Sequence, residues 1–499
     1  MVDERTQRRG DAAGPLAVSE RNPRYFTVAD GGDARAVYLT GSHLWNNLHD
    51  GLGPGEACAD RPEAMDFGEY LDFLEERGHT FIRLWRWEQF RSYTAAADYH
   101  LCMSPQPWAR TGPGEASDGK PRFDLETFDD AFFERLRERV RSAGERGIYV
   151  AVMLFEGWGI HLSTPPNHVE GHPFHARNNV NGVSIGSILD YQVLPLDDRV
   201  QELQERYVRE VVDTVHGFPN VLWEVANESS GGGRVDLEFA KYLGEDEVPE
   251  WGDSTEWQYW VIDTVKRHER ERGDDPHPIG ITMQFPVPDQ TKVNDPLWNS
   301  RAEWISPGYE EPEWFPGNPE IPASAWYAEP PPADSRKVVI ADTDHFAPGS
   351  GDAVWAWKTF VRGHHPILMD FGLIGGVNPP DPKAGGPMSF EAFEPARFAM
   401  GDTARYAGRV GLLEMSPRGD LASTGFALAN PGVEYLVLQP EPGGTVTVTL
   451  EPGRYAAEWF GVEGRGTLPA DDVSVDRTGP VSVDPPFDAE PSVLYLRST

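Results

Sequence analysis

Short apolar runs alternate with longer amphipathic stretches along the first four-fifths of the chain. Residues 67–77 place apolar side chains at helical spacing, and Gly78 separates them from the apolar run at residues 80–85. A helix, a glycine stop and a buried strand in succession are typical of a βα unit. Because the same order recurs downstream, the pattern predicts βα units around a parallel sheet.

Eight strand signals of this kind occur before residue 370, with amphipathic segments between them. The interval between the fifth and sixth signals is short, so we expect only a short helix there. Eight strands with intervening helices predict a (β/α)8 TIM barrel. The predicted strands are residues 37–41, 80–85, 148–155, 221–228, 279–282, 304–305, 337–341 and 366–369, and the predicted helices are residues 67–77, 128–147, 203–215, 257–272 and 393–409.

The pattern changes after about residue 410. Short β-type runs at residues 435–438, 445–450, 454–460 and 493–496 are separated by turns rich in proline and glycine. This spacing predicts a C-terminal antiparallel β-sandwich. We therefore divide the chain into a flexible N-terminal leader (1–22), a TIM-barrel catalytic domain (23–410) and a β-sandwich accessory domain (411–499).

Composition narrows the possible partners. The chain has 499 residues, of which 39% are hydrophobic and 25% charged, so it can bury a core. Its 80 acidic and 44 basic residues give a net charge of −36, which argues against nucleic acid and membrane surfaces as partners. The N-terminus lacks a secretory pattern. We therefore expect a cytoplasmic protein in which Cys58 and Cys102 are reduced thiols.

The end of the fourth predicted strand carries the most informative polar residues. Functional groups of a TIM barrel project from the C-terminal ends of its strands, which is where Asn227 and Glu228 lie. Strand alternation predicts that Glu224 and Glu228 share a face, and we interpret Glu224 as structural. A glutamate partly buried among apolar neighbours has a raised pKa, as a proton donor requires. The adjacent asparagine can bind a sugar hydroxyl without adding charge.

Two segments resemble a known enzyme group. Residues 221–228 resemble the fourth-strand signature of the clan A glycoside hydrolases, a group of TIM-barrel glycosidases that includes cellulase-like enzymes. The resemblance implies that Glu228 is the catalytic acid/base. Residues 81–85 are similar to the second strand of that clan, whose arginine holds the nucleophile, and this implies that role for Arg83.

The resemblance extends to other parts of the chain. The opening segment 38–45, the loop at residues 172–179 and the β-rich tail resemble a cellulase-like branch, in which some members carry a C-terminal domain labelled putative collagen-binding. The resemblance implies a glycoside hydrolase acting on O-glycosidic bonds of an oligosaccharide or glycoside. It implies a carbohydrate substrate, with no cofactor and no metal.

The seventh strand departs from the clan pattern. Clan members present a glutamate nucleophile there, whereas residues 338–341 lead to Asp342, and Asp344 competes for the same role. Carboxyl groups about 5 to 5.5 Å apart give retention, and a separation of about 6.5 to 9.5 Å gives inversion. The resemblance favours retention, although the shorter side chain leaves both outcomes open.

Polar and aromatic side chains at the other strand ends are candidate sugar contacts. Tryptophan faces can stack on pyranose rings. Glu156 either contacts substrate or pairs with Arg86. The candidate substrate-binding residues are His43, Trp45, Trp85, Trp87, Glu156, Trp158, Asn227, Asp344, His345 and Asp370. The loop histidines His161, His168, His172 and His175 match no metal-site spacing, so we expect them to form hydrogen bonds.

Two alternatives from other classes stay open. The first is a metal-dependent TIM-barrel hydrolase, and the second is a catalytically silent carbohydrate-binding relative, which the missing glutamate at strand seven makes credible. The residues available to the metal-dependent alternative are His43, Asp342, Asp344, His345 and Asp370.

Overall fold

The structure is a computed structural model that describes most of the chain. The described residues are 14–30, 33–45, 47–53, 65–94, 99–161, 169–233, 252–273, 275–310, 325–346, 350–373 and 390–499.

A parallel eight-stranded sheet forms the centre of the larger part of the molecule, and each strand lies beside its neighbours in the chain. The ring closes where Thr80 N donates a hydrogen bond of 2.8 Å to Thr40 O. The predicted TIM barrel is therefore confirmed. Its strands are β1 (Gly41–His43), β2 (Phe81–Leu84), β3 (Tyr149–Glu156), β4 (Val221–Asn227), β5 (Ile279–Thr282), β6 (Trp304–Ser306), β7 (Val338–Asp342) and β8 (His365–Met369).

Aspartate side chains begin several of the helices around the barrel. Asp129 accepts a hydrogen bond of 3.0 Å from Ala131 N, and Asp197 accepts one of 2.9 Å from Arg199 N, which satisfies backbone donors of the first turn. The longer helices are Phe67–Glu76, Asp130–Gly144, Asp198–Val215, Thr255–Arg272, Ala353–Val361 and Glu394–Ala407. The shorter ones are Trp158–His161, Leu189–Gln192, Asp295–Asn299, Ala325–Ala328 and Thr343–Phe346, with 3-10 turns at Gln290–Lys292, Phe371–Leu373, Glu391–Phe393, Leu412–Glu414 and Gly419–Leu421.

The five predicted helices are present, with ends that differ from the prediction by a few residues, and Asp295–Asn299 is the expected short helix. No helix among the described residues combines the length and the apolar character that crossing a bilayer requires.

An N-terminal sheet packs against the end of the barrel where the strands begin. It consists of Ala17–Val18, Phe26–Asp30 and Asp33–Val37, and its apolar side chains share a core with the N-terminal ends of the barrel strands. The predicted first strand is consequently split, because Val37 ends this sheet and Gly41 begins β1. A Cβ at position 41 would lie 2.4 Å from Phe81 O, so only glycine allows β1 to approach β2 this closely.

This N-terminal sheet also corrects the predicted leader. Ala17–Val18 pairs with Phe26–Asp30, and the Asn22 side chain donates a hydrogen bond of 2.8 Å to Met415 O. The folded chain therefore begins before the predicted boundary at residue 22. Residues 1–13 lie outside the described residues.

Two small antiparallel sheets sit between β1 and β3, and the sequence pattern did not predict them. One contains Asp50–Gly53, Ser92–Thr94 and Tyr99–Ser104, and the other is the hairpin of Trp108–Glu115 and Pro121–Phe128.

Cys102 is disulfide-bonded, so the prediction of reduced thiols is wrong for this residue. Cys58 lies outside the described residues. Because disulfides are rare in cytosolic proteins, the cysteines no longer support a cytoplasmic location.

The C-terminal part is an antiparallel sandwich of a six-stranded and a two-stranded sheet, as predicted. Its strands are Ser416–Pro417, Ala427–Asn430, Glu434–Gln439, Val446–Leu450, Gly453–Gly461, Thr467–Val475, Gly479–Val483 and Ser492–Ser498. It packs against helix Glu394–Ala407, where the Tyr406 and Phe460 rings lie 5.6 Å apart and Arg465 Nε donates to Asp402 Oδ2 at 2.7 Å. The division into two domains at residue 410 stays a prediction, because the two parts share buried apolar contacts.

Candidate active site

Arg83 lies at the centre of a buried polar cluster at the C-terminal ends of the barrel strands. Its Nη1 donates a hydrogen bond of 2.8 Å to Asp342 Oδ2, and its Nη2 donates one of 2.6 Å to Asn227 Oδ1. Its Nε donates to Glu224 Oε2 at 2.9 Å. The guanidinium on β2 therefore joins side chains from β4 and β7, and its contact with Asp342 is the one that the resemblance implies.

Glu228 stands just beyond the end of β4 in an unusual backbone conformation. The strand ends at Asn227, and Glu228 has a φ of +42°, in the left-handed region that residues other than glycine rarely adopt. Its backbone N donates to Thr282 Oγ1 at 3.3 Å. Such a conformation costs about 1 to 3 kcal/mol and persists where the surrounding structure enforces it.

The end of β4 also departs from simple alternation. Glu224 and Asn227, which strict alternation would place on opposite faces, both contact Arg83. The predicted shared face of Glu224 and Glu228 stays a prediction, since these contacts concern Glu224 and Asn227. Glu224 binds Arg83 inside the barrel, which agrees with a structural role.

Asp342 is fully buried and surrounded by donors. Besides Arg83, His43 Nε2 lies 2.8 Å from its Oδ2, and Asp344 N donates a hydrogen bond of 3.0 Å to its Oδ1. Burial alone would raise the pKa of this carboxyl, but the charges of His43 and Arg83 outweigh burial and hold its pKa well below the ordinary range. Asp342 is therefore ionised at neutral pH.

Glu228 and Asp344 are shifted in the opposite direction. Burial raises the pKa of Glu228 well above its ordinary value, and the charge of Asp344 adds to the increase. Burial, together with the charge of Asp342, raises the pKa of Asp344 to about 8. Three carboxyl groups at one end of the barrel thus differ in protonation at neutral pH.

His345 completes this group and would be part of any metal site here. One ligand atom each from Glu228, Asp344 and His345 lie within 4.8 Å of one another, all buried. His345 Nδ1 lies 2.9 Å from Ser306 Oγ, and its Nε2 lies 3.4 Å from Asn227 Oδ1. Burial lowers the pKa of His345 to about 3, so the ring is neutral.

His43 lies beside the Asp342 carboxylate. The ring is fully buried, it faces Asp342, and it stacks on Trp85 with ring centres 6.2 Å apart. We therefore interpret His43 as a neighbour of Asp342, and its contact with a sugar stays a prediction. A lone histidine at a strand end carries no sequence signal that could have identified this partner.

The four candidate tryptophans differ in exposure. Trp85 and Trp87 are fully buried, and Trp87 Nε1 donates a hydrogen bond of 2.7 Å to Trp45 O. Trp45 itself is 8% exposed. Trp158, at the start of the short helix after β3, is only partly buried. Trp158 is therefore the candidate best suited to stack on a sugar, and the stacking role stays a prediction.

Asp370 and Glu156 have protein partners. Both carboxylate oxygens of Asp370 accept hydrogen bonds from Arg397, at 2.6 and 2.7 Å, and Asp370 is fully buried. We therefore no longer assign Asp370 to substrate binding. Glu156 accepts a hydrogen bond of 2.8 Å from Gly159 N, and burial raises its pKa well above the ordinary value.

A second buried group next to Glu156 was not predicted. Arg86 Nη1 lies 3.4 Å from Glu88 Oε2, so it pairs with Glu88, and the alternative in which Glu156 pairs with Arg86 is not found among the described ion pairs. His172 Nε2 lies 3.3 Å from the same carboxylate, in agreement with the expected hydrogen-bonding role of the loop histidines. His168 and the side chain of His161 lie outside the described residues.

Comparisons with known proteins were made for sequence and for fold. No protein-family model matches the sequence, and no curated protein matches it. A solved structure titled "Glycoside hydrolase" superposes with a TM-score of 0.56 at 12% identity and covers 97% of both chains. A family 5 glycoside hydrolase from Bacteroides vulgatus ATCC 8482 gives a TM-score of 0.57 at 12% identity, with 97% of this chain and 94% of that chain covered.

A putative glycoside hydrolase from the same organism gives a TM-score of 0.53 at 13% identity and covers 97% of this chain and 82% of that chain. At this level of identity the likeness concerns the fold. The barrel and sandwich together, across nearly the whole chain, are therefore an arrangement that solved glycoside hydrolases also have.

Proposed function

We propose that the protein is a glycoside hydrolase that cleaves O-glycosidic bonds of an oligosaccharide or glycoside. In this proposal Glu228 is the proton donor and Asp342 the nucleophile. The observation that carries the proposal is the opposite displacement of two carboxyl pKa values at one end of the barrel, with Glu228 raised and Asp342 lowered. Glycoside hydrolysis needs such a pair, one carboxyl protonated and one ionised at the same pH.

The first step breaks the glycosidic bond. Asp342 attacks the anomeric carbon while Glu228 transfers its proton to the glycosidic oxygen, and the leaving group departs as an alcohol. Arg83 keeps Asp342 ionised before attack through its 2.8 Å hydrogen bond. The products of this step are a covalent glycosyl ester on Asp342 and a Glu228 carboxylate.

The second step releases the sugar. Glu228, now a carboxylate, accepts a proton from water, and the resulting hydroxyl attacks the anomeric carbon and displaces Asp342. The outcome is net retention of configuration. Both carboxyls return to their starting protonation, so no cofactor is consumed.

Contacts of the two competing aspartates favour Asp342 as nucleophile. A nucleophilic carboxylate has to be ionised, and Arg83 together with His43 provides this for Asp342. For Asp344, burial and the charge of Asp342 raise the pKa to about 8, so no neighbouring cation holds this carboxyl ionised as Arg83 holds Asp342. We therefore propose Asp342 for the nucleophile and a different task for Asp344.

Asn227 is suited to hold the substrate beside Glu228. Its Oδ1 accepts a hydrogen bond from Arg83, but its buried Nδ2 has no hydrogen-bond partner among the described residues. A buried amide donor without a partner costs free energy, which a sugar hydroxyl would recover on binding.

The narrower resemblance to a cellulase-like branch with a collagen-binding label stays a prediction, as does the cytoplasmic location.

A screen of aryl glycosides and oligosaccharides with four proteins tests the proposal. Wild type and the surface control Glu256→Gln are expected to be active, whereas Glu228→Gln and Asp342→Asn lose at least about 10³-fold in kcat/KM. NMR of the first-formed anomer reports retention or inversion. Undiminished activity in Glu228→Gln would exclude it as the proton donor, and sugar affinity without turnover would favour a binding protein.

A further inference from the structure

Glu228 and Asp344 form a pair of buried carboxyl groups with little to compensate their charge. Oxygens of the two side chains lie within 4.8 Å of each other. Glu228 is 6% exposed and Asp344 is 9% exposed. Two carboxylates this close and this far from water cannot both be ionised unless a cation neutralises them.

Arg83 does not supply that neutralisation. Its positive charge is already matched by Glu224 and Asp342, each of which it contacts in a hydrogen-bonded ion pair. Among the described residues, the other titratable groups that act on the pair are acidic or neutral. They are Asp342 and Glu224, which Arg83 binds, Glu156 from the end of β3 and His345 from the helix after β7, with His43 of β1 turned toward Asp342.

His345 is engaged on both ring nitrogens, which limits its use as a metal ligand. The amide of Asn227 is oriented by Arg83, which donates to its Oδ1. Because that oxygen only accepts, His345 Nε2 carries the proton, and Nδ1 accepts from the Ser306 hydroxyl. Neither nitrogen is then free for a cation, and two carboxyls alone are an incomplete ligand set.

We propose that Glu228 and Asp344 share a single proton, and that Asp344 is the positioning residue that keeps the proposed proton donor protonated. The inference rests on the proposed function for its role in turnover, but the shared proton itself does not. Paired carboxyl groups of this kind titrate as one unit, in which the second ionisation is strongly suppressed.

The shared proton has a consequence for both chemical steps. When Glu228 gives the proton to the leaving group, the pair is left with two negative charges in a buried site. This state is unfavourable, so Glu228 becomes a stronger base for the incoming water. Removing the proton of that water restores the singly protonated pair, and the hydroxyl forms the bond to the anomeric carbon.

The pH dependence of kcat/KM tests this proposal in wild type, Asp344→Asn and the matched surface control Asp471→Asn. Asparagine removes the neighbouring negative charge, so the alkaline limb, which reports loss of the Glu228 proton, is expected to move to lower pH by about one unit or more. The control keeps the wild-type profile. A purely structural role of Asp344 would instead lower kcat at every pH and leave the limb in place, which would overturn the proposal.

An infrared titration gives a second readout that requires no turnover. Glu228→Gln identifies the protonated carboxyl band, and Asp344→Asn is expected to lower its midpoint pH by the same shift. If Asp344→Asn does not fold, Asp344→Ser is measured in its place. An unchanged midpoint refutes the shared proton, even if the protein proves inactive on every glycoside and the proposed function fails.

Metal analysis of the purified wild type and Asp344→Asn, with activity measured before and after chelation, tests the remaining possibility. The shared proton predicts no stoichiometric divalent cation and no effect of the chelator. One equivalent of cation that is lost in Asp344→Asn would overturn the proposal in favour of a metal at the pair.

Discussion

Two of the buried arginines in this barrel, Arg397 and Arg83, bind carboxylates in different ways. Arg397 donates hydrogen bonds to both carboxylate oxygens of Asp370 and also binds Glu394, which pairs in turn with Arg77, so two cations face two carboxylates. Arg83 instead contacts Glu224 and Asp342 at once, and Glu228 and Asp344 lie beyond them. Around Arg397 the charges balance, whereas around Arg83 there are more acidic groups than cations.

The difference separates a structural ion pair from a candidate catalytic one. A closed buried pair keeps each charge satisfied, but it leaves nothing for a ligand to bind. An excess of carboxyl groups around one arginine forces their pKa values apart, which acid and base chemistry requires. Burial alone would not have distinguished them, since both arginines are fully buried.

The largest expected effect comes from removing each arginine. Arg83→Met and Arg397→Met both leave buried carboxylates unpaired, so each is expected to lose about 3 to 5 kcal/mol of unfolding free energy. Arg83→Met should also lose at least about 10³-fold in kcat/KM, because Asp342 is no longer held ionised. Denaturant unfolding and kinetics on the folded fraction check this. Equal kinetic losses in the two variants would remove the distinction.

Replacing His43 tests which neighbouring side chains lower the pKa of Asp342. His43 lowers the pKa of Asp342, so in His43→Asn that pKa rises and the acid limb of kcat/KM moves to higher pH, by about one unit. His172→Asn, a buried histidine beside Glu88, is the matched control and should leave the limb in place. An acid limb that does not move in His43→Asn would show that Arg83 suffices.

The pH dependence of the unfolding free energy distinguishes Asp344 from Asp370. The unfolded chain releases the Asp344 proton near its ordinary pKa of 3.8, whereas in the folded protein the pair of Glu228 and Asp344 keeps a proton up to about pH 8. The native state therefore binds more protons between these values, and stability falls as pH rises through them. Asp344→Asn cannot ionise and should raise Tm by a few degrees at pH 8. Asp370→Asn should lower Tm, because Arg397 loses its buried carboxylate and keeps only Glu394.

The smallest expected effect concerns the rim of the site. Trp158→Ala removes a partly buried aromatic face and should raise KM roughly 2- to 10-fold with little change in kcat, as loss of ring stacking predicts. Trp298→Ala, on the short helix Asp295–Asn299, is the control and should leave KM unchanged. A change in kcat rather than KM would indicate that Trp158 supports the reacting groups.

Local pattern explains which parts of this fold the sequence could predict. Strand β5 has the predicted bounds, β3 is shifted by one residue, and β4 ends one residue earlier than predicted. Strand β1 was misplaced because Val37 and Leu39 are equally apolar but pack with the N-terminal sheet against the N-terminal ends of the barrel strands. Apolar character alone does not say which of two neighbouring cores a segment joins.

The candidate site also has contacts that the sequence could predict and contacts that it could not. The resemblance was enough to predict the contact between Arg83 and Asp342, and the strand ends were enough to place Asn227 at the same end of the barrel. The partners of Asp370 and His43 were not predictable, because Arg397 and Asp342 come from distant parts of the chain. Such contacts depend on the closure of the barrel, which no local pattern encodes.

The N-terminal sheet limits how the protein can be shortened. Phe26, Val28 and Leu39 cover the end of the barrel opposite the candidate site, against Phe81 and Trp304. A truncation that starts after residue 40 would expose these apolar side chains to solvent. The exposed surface would favour self-association and would let water reach the core between the strands. Fragments made for crystallisation or directed evolution should therefore keep everything from Leu16 onward, and sequence changes meant to alter substrate preference belong at the opposite mouth.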